Sequence, residues 1–446
     1  MSVHAQWVLP VLLVVTLVLQ AALPSYRLLI VMTGAALSCI ATSVFGLGHA
    51  SQILADVPWD VLVILVGLGL VSEVFVESRL FGVVAMRICR GSRANPKRIA
   101  VMFALGMFSH GGLVNNLTAL LLIMPMLLGL FKLIGVKQRY VTWSLGLLLV
   151  ACNLGGAATP IGDFPAVLLL GGGKMTFTAY LVRALPATLI GLAIVMGIVV
   201  YGVRPERGLS KSPVSAAITV DTMTALYRNV RVDRKTLTPA AFALGAMVLA
   251  WVLLPPEKGA TPELVCWVGA AAALLARPAL GERLIRRKVD MEATLFLLAL
   301  FVMVVAVRKS GIFASIAKVL VALPISPVSQ LIVFVIAAGF LTGLFSAGPS
   351  MAALLEVADV LARMHPPNTV YVGLALGVCA GSSLFTTAAT SGPLAQALTE
   401  RADLRDDQGN QLRFGFKEFL PVGIISFVVI ESVAIGYCLI TTHFAL

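Results

Sequence analysis

Asp163 is an ionisable residue at the centre of a hydrophobic run, residues 143–170, that is long enough to cross a bilayer. A carboxylate at that depth can carry a proton, hold a cation or accept hydrogen bonds from an oxyacid, and such a group is functional by default. The alternative is a structural role in capping a helix. Asn153 supplies an amide and Thr159 a hydroxyl nearby, and Gly155, Gly156, Pro160, Gly162 and Pro165 fall where helix formers are expected. Proline removes a backbone donor and glycine raises the entropy cost of helix, so the run is expected to break near the membrane midplane. Unpaired backbone at that depth is tolerable only where it lines protein or a water-filled cavity. Broken helices of this kind form the binding elements of secondary transporters.

A second run with the same character is Gly381-Ser-Ser-Leu-Phe-Thr-Thr-Ala-Ala-Thr-Ser-Gly392, whose hydroxyls at Ser382, Ser383, Thr386, Thr387 and Thr390 can replace a hydration shell. Such hydroxyls also bond their own helix backbone or glue helices together. Asn115, Asn116 and Thr118 lie in an interrupted apolar run with His110, and Ser346 and Ser350 lie in its counterpart. His110 is a candidate proton or anion group, as is Asp163. Cys152 and Cys379 flank the two breaks, where they either pack or meet a soft metalloid. Glu73, Glu77, Glu356, Asp359 and Glu431 also lie in or near apolar runs; most are expected to pair or to face water, and one to carry protons. Gly171-Gly-Gly-Lys174 resembles the end of a phosphate-binding loop, but Met175 replaces the required Ser or Thr. The five histidines are scattered, the six cysteines form no C-x-x-C, and neither a cofactor, a metal site, a disulfide framework nor an enzyme is indicated.

The elements that must position these residues are membrane helices. Hydrophobic residues make up 59% of the 446-residue chain and charged residues only 12%, about half the charge of a soluble domain. The net charge of +12 comes from basic residues clustered between apolar runs, which is a topology signal rather than a nucleic-acid footprint. The first apolar run lacks a basic leader before it and is expected to be a retained span.

The apolar runs fall into two series. Residues 60–81 align without a gap on residues 292–313, and Asn153-Leu-Gly-Gly-Ala aligns on Cys379-Ala-Gly-Ser-Ser. Residues 176–181 align on 415–420. Charge gives the relative orientation. Residues 48–58 hold no Lys or Arg and 87–98 hold five, whereas in the second half five basic residues (Arg277, Arg283, Arg286, Arg287, Lys288) precede the equivalent span. Under the positive-inside rule the two halves are inverted. The expected fold is an all-α polytopic membrane protein of two inverted-topology repeats, residues 1–203 and 237–446, joined by a basic cytoplasmic linker at 204–236. It has about ten transmembrane helices, re-entrant hairpins at about 99–134 and 329–364, and broken helices at about 141–170 and 370–398. The hairpin tips are placed at 109–116 and 346–350, and both termini outside.

At this point the residues resemble a known group. Asn153-Leu-Gly-Gly-Ala-Ala-Thr-Pro-Ile-Gly-Asp-Phe-Pro165 resembles the signature of the ion transporter superfamily, and Asn116-Leu-Thr-Ala-Leu-Leu-Leu-Ile-Met-Pro125 resembles its hairpin motif. That group includes arsenite permeases, sodium/proton antiporters, citrate carriers and P-protein-type permeases, and the Gly-Asp-Phe-Pro variant is similar to a magnetosome membrane permease of the same group. The resemblance implies an elevator-type fold, and by analogy a homodimer. Several positions depart from the family pattern: Asn115 replaces the hairpin Asp, Ala166 replaces the closing Asn, Gly348-Pro349 replaces Asp-Asn, and Ser383 stands where Asn is common. Two carboxylates of a sodium/proton antiporter are therefore missing.

The resulting expectation is a permease of the bacterial inner membrane that moves a small ion by alternating access, driven by a proton or sodium gradient. An anion or metalloid oxyacid such as arsenite is favoured. The alternatives are a sodium/proton antiporter and a transport-dead structural subunit of a membrane assembly. A polar, water-accessible cavity at Asp163 would speak for transport, and a packed, dry one against it. The site residues are taken as Asn115, Asn116, Thr118, Asn153, Gly155, Gly156, Thr159, Asp163, Ser346, Ser350, Ser382, Ser383, Thr386 and Thr387.

Overall fold

The computed structural model describes residues 3–114, 116–207, 209, 218, 221–222, 225, 231–254, 259–389, 391–406 and 408–443, and its regular elements are all helices. The first half runs α1 (Val3–Ala22), α2 (Arg27–Val44), α3 (Ala50–Ala55), α4 (Trp59–Glu77) and α5 (Leu80–Ser92). It continues through α6 (Pro96–Gly111), α7 (Asn116–Ile134), α8 (Gln138–Ala158), α9 (Phe164–Gly171) and α10 (Phe177–Gly197), the last extended by a π-helical turn over Ile198–Val203. The second half runs α11 (Arg234–Leu253), α12 (Pro262–Leu275), α13 (Pro278–Lys288), α14 (Met291–Lys309) and α15 (Ile312–Val321). Then follow α16 (Pro327–Phe345), α17 (Ala347–Leu361), α18 (Pro367–Ser382), α19 (Gly392–Ala402) and α20 (Phe416–His443).

Helix pairings recur when the halves are exchanged. α6 packs on α8 as α16 packs on α18, and α8 on α10 as α18 on α20. Across the halves, α2 packs on α14 as α12 packs on α4, and α8 on α20 as α18 on α10. Buried side chains follow the same centre. In α8 an 18-residue window is 94% buried, against 28% for α2 and for α11. The outer helices show their apolar residues instead; Phe242 on α11 is 78% exposed, as a side chain facing lipid would be.

Helix starts follow from local chemistry. Asn95 caps α6 by accepting the amides of Lys97 at 3.0 Å and Arg98 at 3.3 Å, ahead of Pro96 in the first turn. Ser326 caps α16 with the amide of Ser329 at 3.2 Å, again ahead of a proline. Among the described residues nine helices are long and apolar enough to cross a membrane, and these include α7, α8 and α16. The span expected at about 262–277 is shorter than that. α12 has 14 residues, about 21 Å of helix, because Pro278 restricts the preceding Arg277 and starts α13.

Charged side chains gather at the two ends of α4. At its C-terminal end Glu73 pairs with Lys288 at 3.6 Å and Glu77 with Arg283 at 3.0 Å, and Arg277 pairs with Asp233 ahead of α11 at 2.6 Å. At the other end Asp56 pairs with Lys309 at 3.0 Å and with Arg308 at 3.4 Å. Arg308 also reaches Glu356 on α17 at 3.4 Å, and Lys174 pairs with Asp359 at 2.6 Å. Glu73, Glu77, Glu356 and Asp359 are thus paired, while both carboxyl oxygens of Glu431 are buried without a hydrogen-bond partner among the described residues.

Candidate functional site at the two helix breaks

The first break is where the glycines and prolines place it. α8 ends at Ala158, Thr159 is extended, and Asp163 is the extended residue that caps α9. Its Oδ1 accepts the amide of Phe164 at 2.9 Å. The capping role is therefore real, but it uses one carboxylate oxygen, and Asp163 has no ion pair among the described residues. Gly155 and Gly156 lie inside α8, and what they supply is close approach. A Cβ at Gly155 would overlap the carbonyl of Phe108 on α6, and one at Gly156 would lie 2.7 Å from the Asn116 side chain.

The turn between α6 and α7 is thereby held against this break. Thr159 Oγ1 donates to the carbonyl of Gly112 at 2.6 Å, and Cys152 Sγ donates to the carbonyl of Asn116 at 3.5 Å. Asn116 opens α7, and its Oδ1 is buried with no partner among the described residues. The second break repeats the construction. α18 ends at Ser382, and a Cβ at Gly381 would overlap the carbonyl of Gly339 on α16. Asn153 joins the two breaks: its Nδ2 donates to the Ser382 carbonyl and to Ser383 Oγ, each at 3.2 Å.

Between the breaks lies a cavity lined by Asn153, Asp163, Tyr180, Ala347, Cys379 and Ser382. The room it leaves for the centre of a water-sized sphere is about 10 Å³, enough for roughly one water. Asn153, Asp163, Tyr180 and Ser382 set polar groups into a wall otherwise made of small and apolar side chains. In this conformation the cavity is closed to anything larger than about one water, so it meets only part of the condition for a polar, water-accessible chamber. Ser350 Oγ and Ser391 Oγ are also buried without partners among the described residues.

The remaining candidates distribute as follows. Ser382 Oγ donates to the Cys379 carbonyl at 2.9 Å within its own helix. Ser346 forms the turn between α16 and α17, and Ala347 to Ser350 already belong to α17, so the second tip is one residue rather than five. Ser109 and His110 lie within α6, so the first turn starts later than residue 109. His110 Nδ1 meets the Gly106 carbonyl at 2.5 Å and its ring centroid lies 4.9 Å from that of Phe81 on α5, outside the cavity lining. Thr118 is half-buried in α7, Thr386 is buried with its carbonyl against Gly392, and Thr387 is exposed. Asn115 and Thr390 lie outside the described residues. Tyr180 was not read from the sequence. It lies on α10, lines the cavity and donates its hydroxyl to the Ala157 carbonyl at 2.8 Å. Two cavity residues with small side chains, Ala347 and Ala375, carried no signal either.

The sequence model of the citrate transporter family matches residues 10–377. The chain belongs to this family. Relatives of this citrate transporter family member include an uncharacterized transporter of Mycobacterium tuberculosis, 26% identical over 78% of this chain and 80% of the relative. The magnetosome protein MamN of Magnetospirillum gryphiswaldense is 26% identical over 89% of this chain and 90% of its own. The human P protein matches over 32% of this chain at 26% identity. Among solved structures the fold is similar to the YdaH transporter of Alcanivorax borkumensis, with a TM-score of 0.60, 14% identity and 99% of both chains covered. MtrF of Neisseria gonorrhoeae gives a TM-score of 0.60 at 12% identity over 98% of this chain and 95% of its own. The chain is an integral membrane transporter, not an enzyme.

Proposed function

We propose that this family member is a secondary active transporter that moves a small oxyacid, of the arsenite type, through the cavity between the two helix breaks. The observation that carries this reading is the chemistry of the cavity wall. Asp163 offers acceptor oxygens, the two amide hydrogens of Asn153 are already given to Ser382 and Ser383, and no Lys, Arg or His lines the cavity among the described residues. A multiply charged anion would meet the Asp163 carboxylate with no counter-charge to offset its desolvation. An undissociated oxyacid, with several hydroxyls and no net charge, can donate to the Asp163 carboxylate without a counter-charge.

The site is taken as Asn115, Asn116, Asn153, Thr159, Asp163, Ser350, Ser382 and Ser383, with the glycines at 155 and 156 allowing the first turn to close. The two halves, 1–203 and 237–446, work as inverted repeats, with α6–α9 and α16–α19 as the moving part and the linker on the cytoplasmic side. The recurring helix pairings support that division. The closed cavity fits an occluded state of an alternating-access cycle. A proton or sodium gradient drives the cycle, and both termini face outward.

A second reading, exchange of sodium for protons, is favoured by one observation: among the described residues the Asp163 carboxylate has no cation beside it. Uptake into proteoliposomes separates the two. Arsenite, citrate and sodium are offered in turn, with an imposed proton gradient or sodium gradient. The proposal expects arsenite to enter and Asp163→Asn to slow its entry at least about tenfold, the effect of losing roughly 1.4 kcal/mol. Sodium entry alone, coupled to proton exit, would replace the proposal with the exchanger. No movement of any of the three would favour a structural subunit that does not transport.

A further inference from the structure

We infer that Glu431 is a proton-binding site, separate from the cavity, whose proton is carried with the motion of the α16–α17 hairpin. This inference rests on the transporter reading above. Glu431 lies near the middle of α20, a 28-residue apolar helix, and is only 6% exposed. Neither carboxyl oxygen has a hydrogen-bond partner among the described residues.

The surroundings offer no counter-charge. Oε2 would lie 2.6 Å from a Cβ added at Gly339 on α16, and Phe427 closes the same face. α16 carries no ionisable side chain. The other helices packed on α20 contribute Tyr371 and Cys379 from α18, Tyr180 and Arg183 from α10, and Arg139, Tyr140 and Cys152 from α8. On α20 itself the nearby groups are Tyr437 and Cys438. None of these bonds to Glu431. An isolated charge at such a place costs several kcal/mol, and a carboxyl there holds its proton instead.

Position and asymmetry connect that proton to the transport cycle. Gly339, which the carboxyl touches, is the residue whose carbonyl is seated on Gly381 at the second break. Glu431 therefore stands one helix behind the break, against an arm of the hairpin. The corresponding residue of the first half, from the alignment of 176–181 on 415–420, is Leu192, buried in α10. Packing alone is thus satisfied by an apolar side chain at this position. Movement of α16 along α20 opens the carboxyl to water on one side of the membrane in one end state and on the other side in the other, so that the carboxylate takes a proton from the first side and the carboxyl releases it to the second. One proton is bound and released per cycle, with no bond to any other group made or broken.

Two measurements on the full-length protein test this. Infrared spectra of the purified protein at neutral pH are expected to contain a protonated-carboxyl C=O band that shifts in heavy water. That band should be lost in Glu431→Gln and kept in Glu431→Asp and Asp163→Asn. In proteoliposomes with arsenite, a pH gradient of one unit supports up to about tenfold accumulation for one proton per substrate, and Glu431→Gln is expected to reduce it to about onefold. Persistence of the band in Glu431→Gln, or of gradient-driven accumulation, would overturn the assignment. If the wild-type protein moves no arsenite, the substrate proposal fails by itself, and the infrared band alone decides the proton site.

Discussion

Asn153 is the residue on which the two halves meet, because its amide nitrogen holds both the carbonyl and the hydroxyl of the second break. Asn153→Ala leaves a buried carbonyl and hydroxyl unpaired, and a loss of about 1–3 kcal/mol is expected, read as a lower melting temperature in detergent. The glycines make a sharper test. Gly155→Ala forces a methyl into the Phe108 carbonyl and should cost about 1–3 kcal/mol. Gly245→Ala on α11 meets nothing within 4 Å and should be neutral or stabilising by up to about 1 kcal/mol. Equal effects of the two would contradict the packing described. Ser346 has a φ of 71° and a ψ of 164°, a conformation almost confined to glycine. Ser346→Gly is expected to raise the melting temperature by relieving about 1 kcal/mol or more; a fall would show that the serine side chain is needed there.

Residue identities at the first break were legible because Gly, Pro and Asp are improbable in the middle of an apolar run. Others were not. Tyr180 reaches the cavity from α10, the helix after the break, and nothing local marks it. The five intramembrane carboxylates could not be told apart by sequence, because the partners that distinguish them are distant in the chain. Glu73 finds Lys288, Glu77 finds Arg283 and Asp359 finds Lys174, and only the fold shows that Glu431 is left over. His110 lies against Phe81 and not in the cavity lining, and a lone histidine in an apolar helix has no periodic partners from which its face could be read.

At the scale of elements, the breaks and turns came from punctuation and charge. Basic residues at 87–98 and at 132–139 bracket α6 and α7, and the structure gives two helices joined by a short turn there. Helix length was less legible: α12 stops early because its proline lies just beyond an otherwise continuous apolar run. The ionic cluster that ties α14 to α17 and to the segment before α4 belongs to this scale. Lys309, with help from Arg308, holds the carboxyl of Asp56 below the usual range. A lowered native value means that the pairing stabilises above about pH 4 and that the gain is lost as pH falls through that lowered value. All three side chains are substantially exposed or short of full burial, so the gain is at most about 1 kcal/mol. Wild-type protein should therefore melt slightly above Asp56→Asn at pH 7, and the gap should narrow as pH falls below about 4. A gap that widens in acid would contradict the pairing.

At the scale of the whole molecule, the recurring helix order and pairings place two broken helices back to back, each clasped by a two-helix element. The central claim is that this meeting point binds the transported species through Asp163. Ligand-dependent stabilisation of the purified protein tests it most directly, with arsenite, phosphate, sulfate, citrate, chloride, sodium and lithium screened against wild type and Asp163→Asn. A ligand held only by the native state at a hundred times its Kd adds about 2.7 kcal/mol of stability. The account predicts that arsenite raises the melting temperature of the wild type and leaves that of Asp163→Asn unchanged. A rise of equal size in both proteins, or none with any ligand in a well-folded wild type, would contradict it.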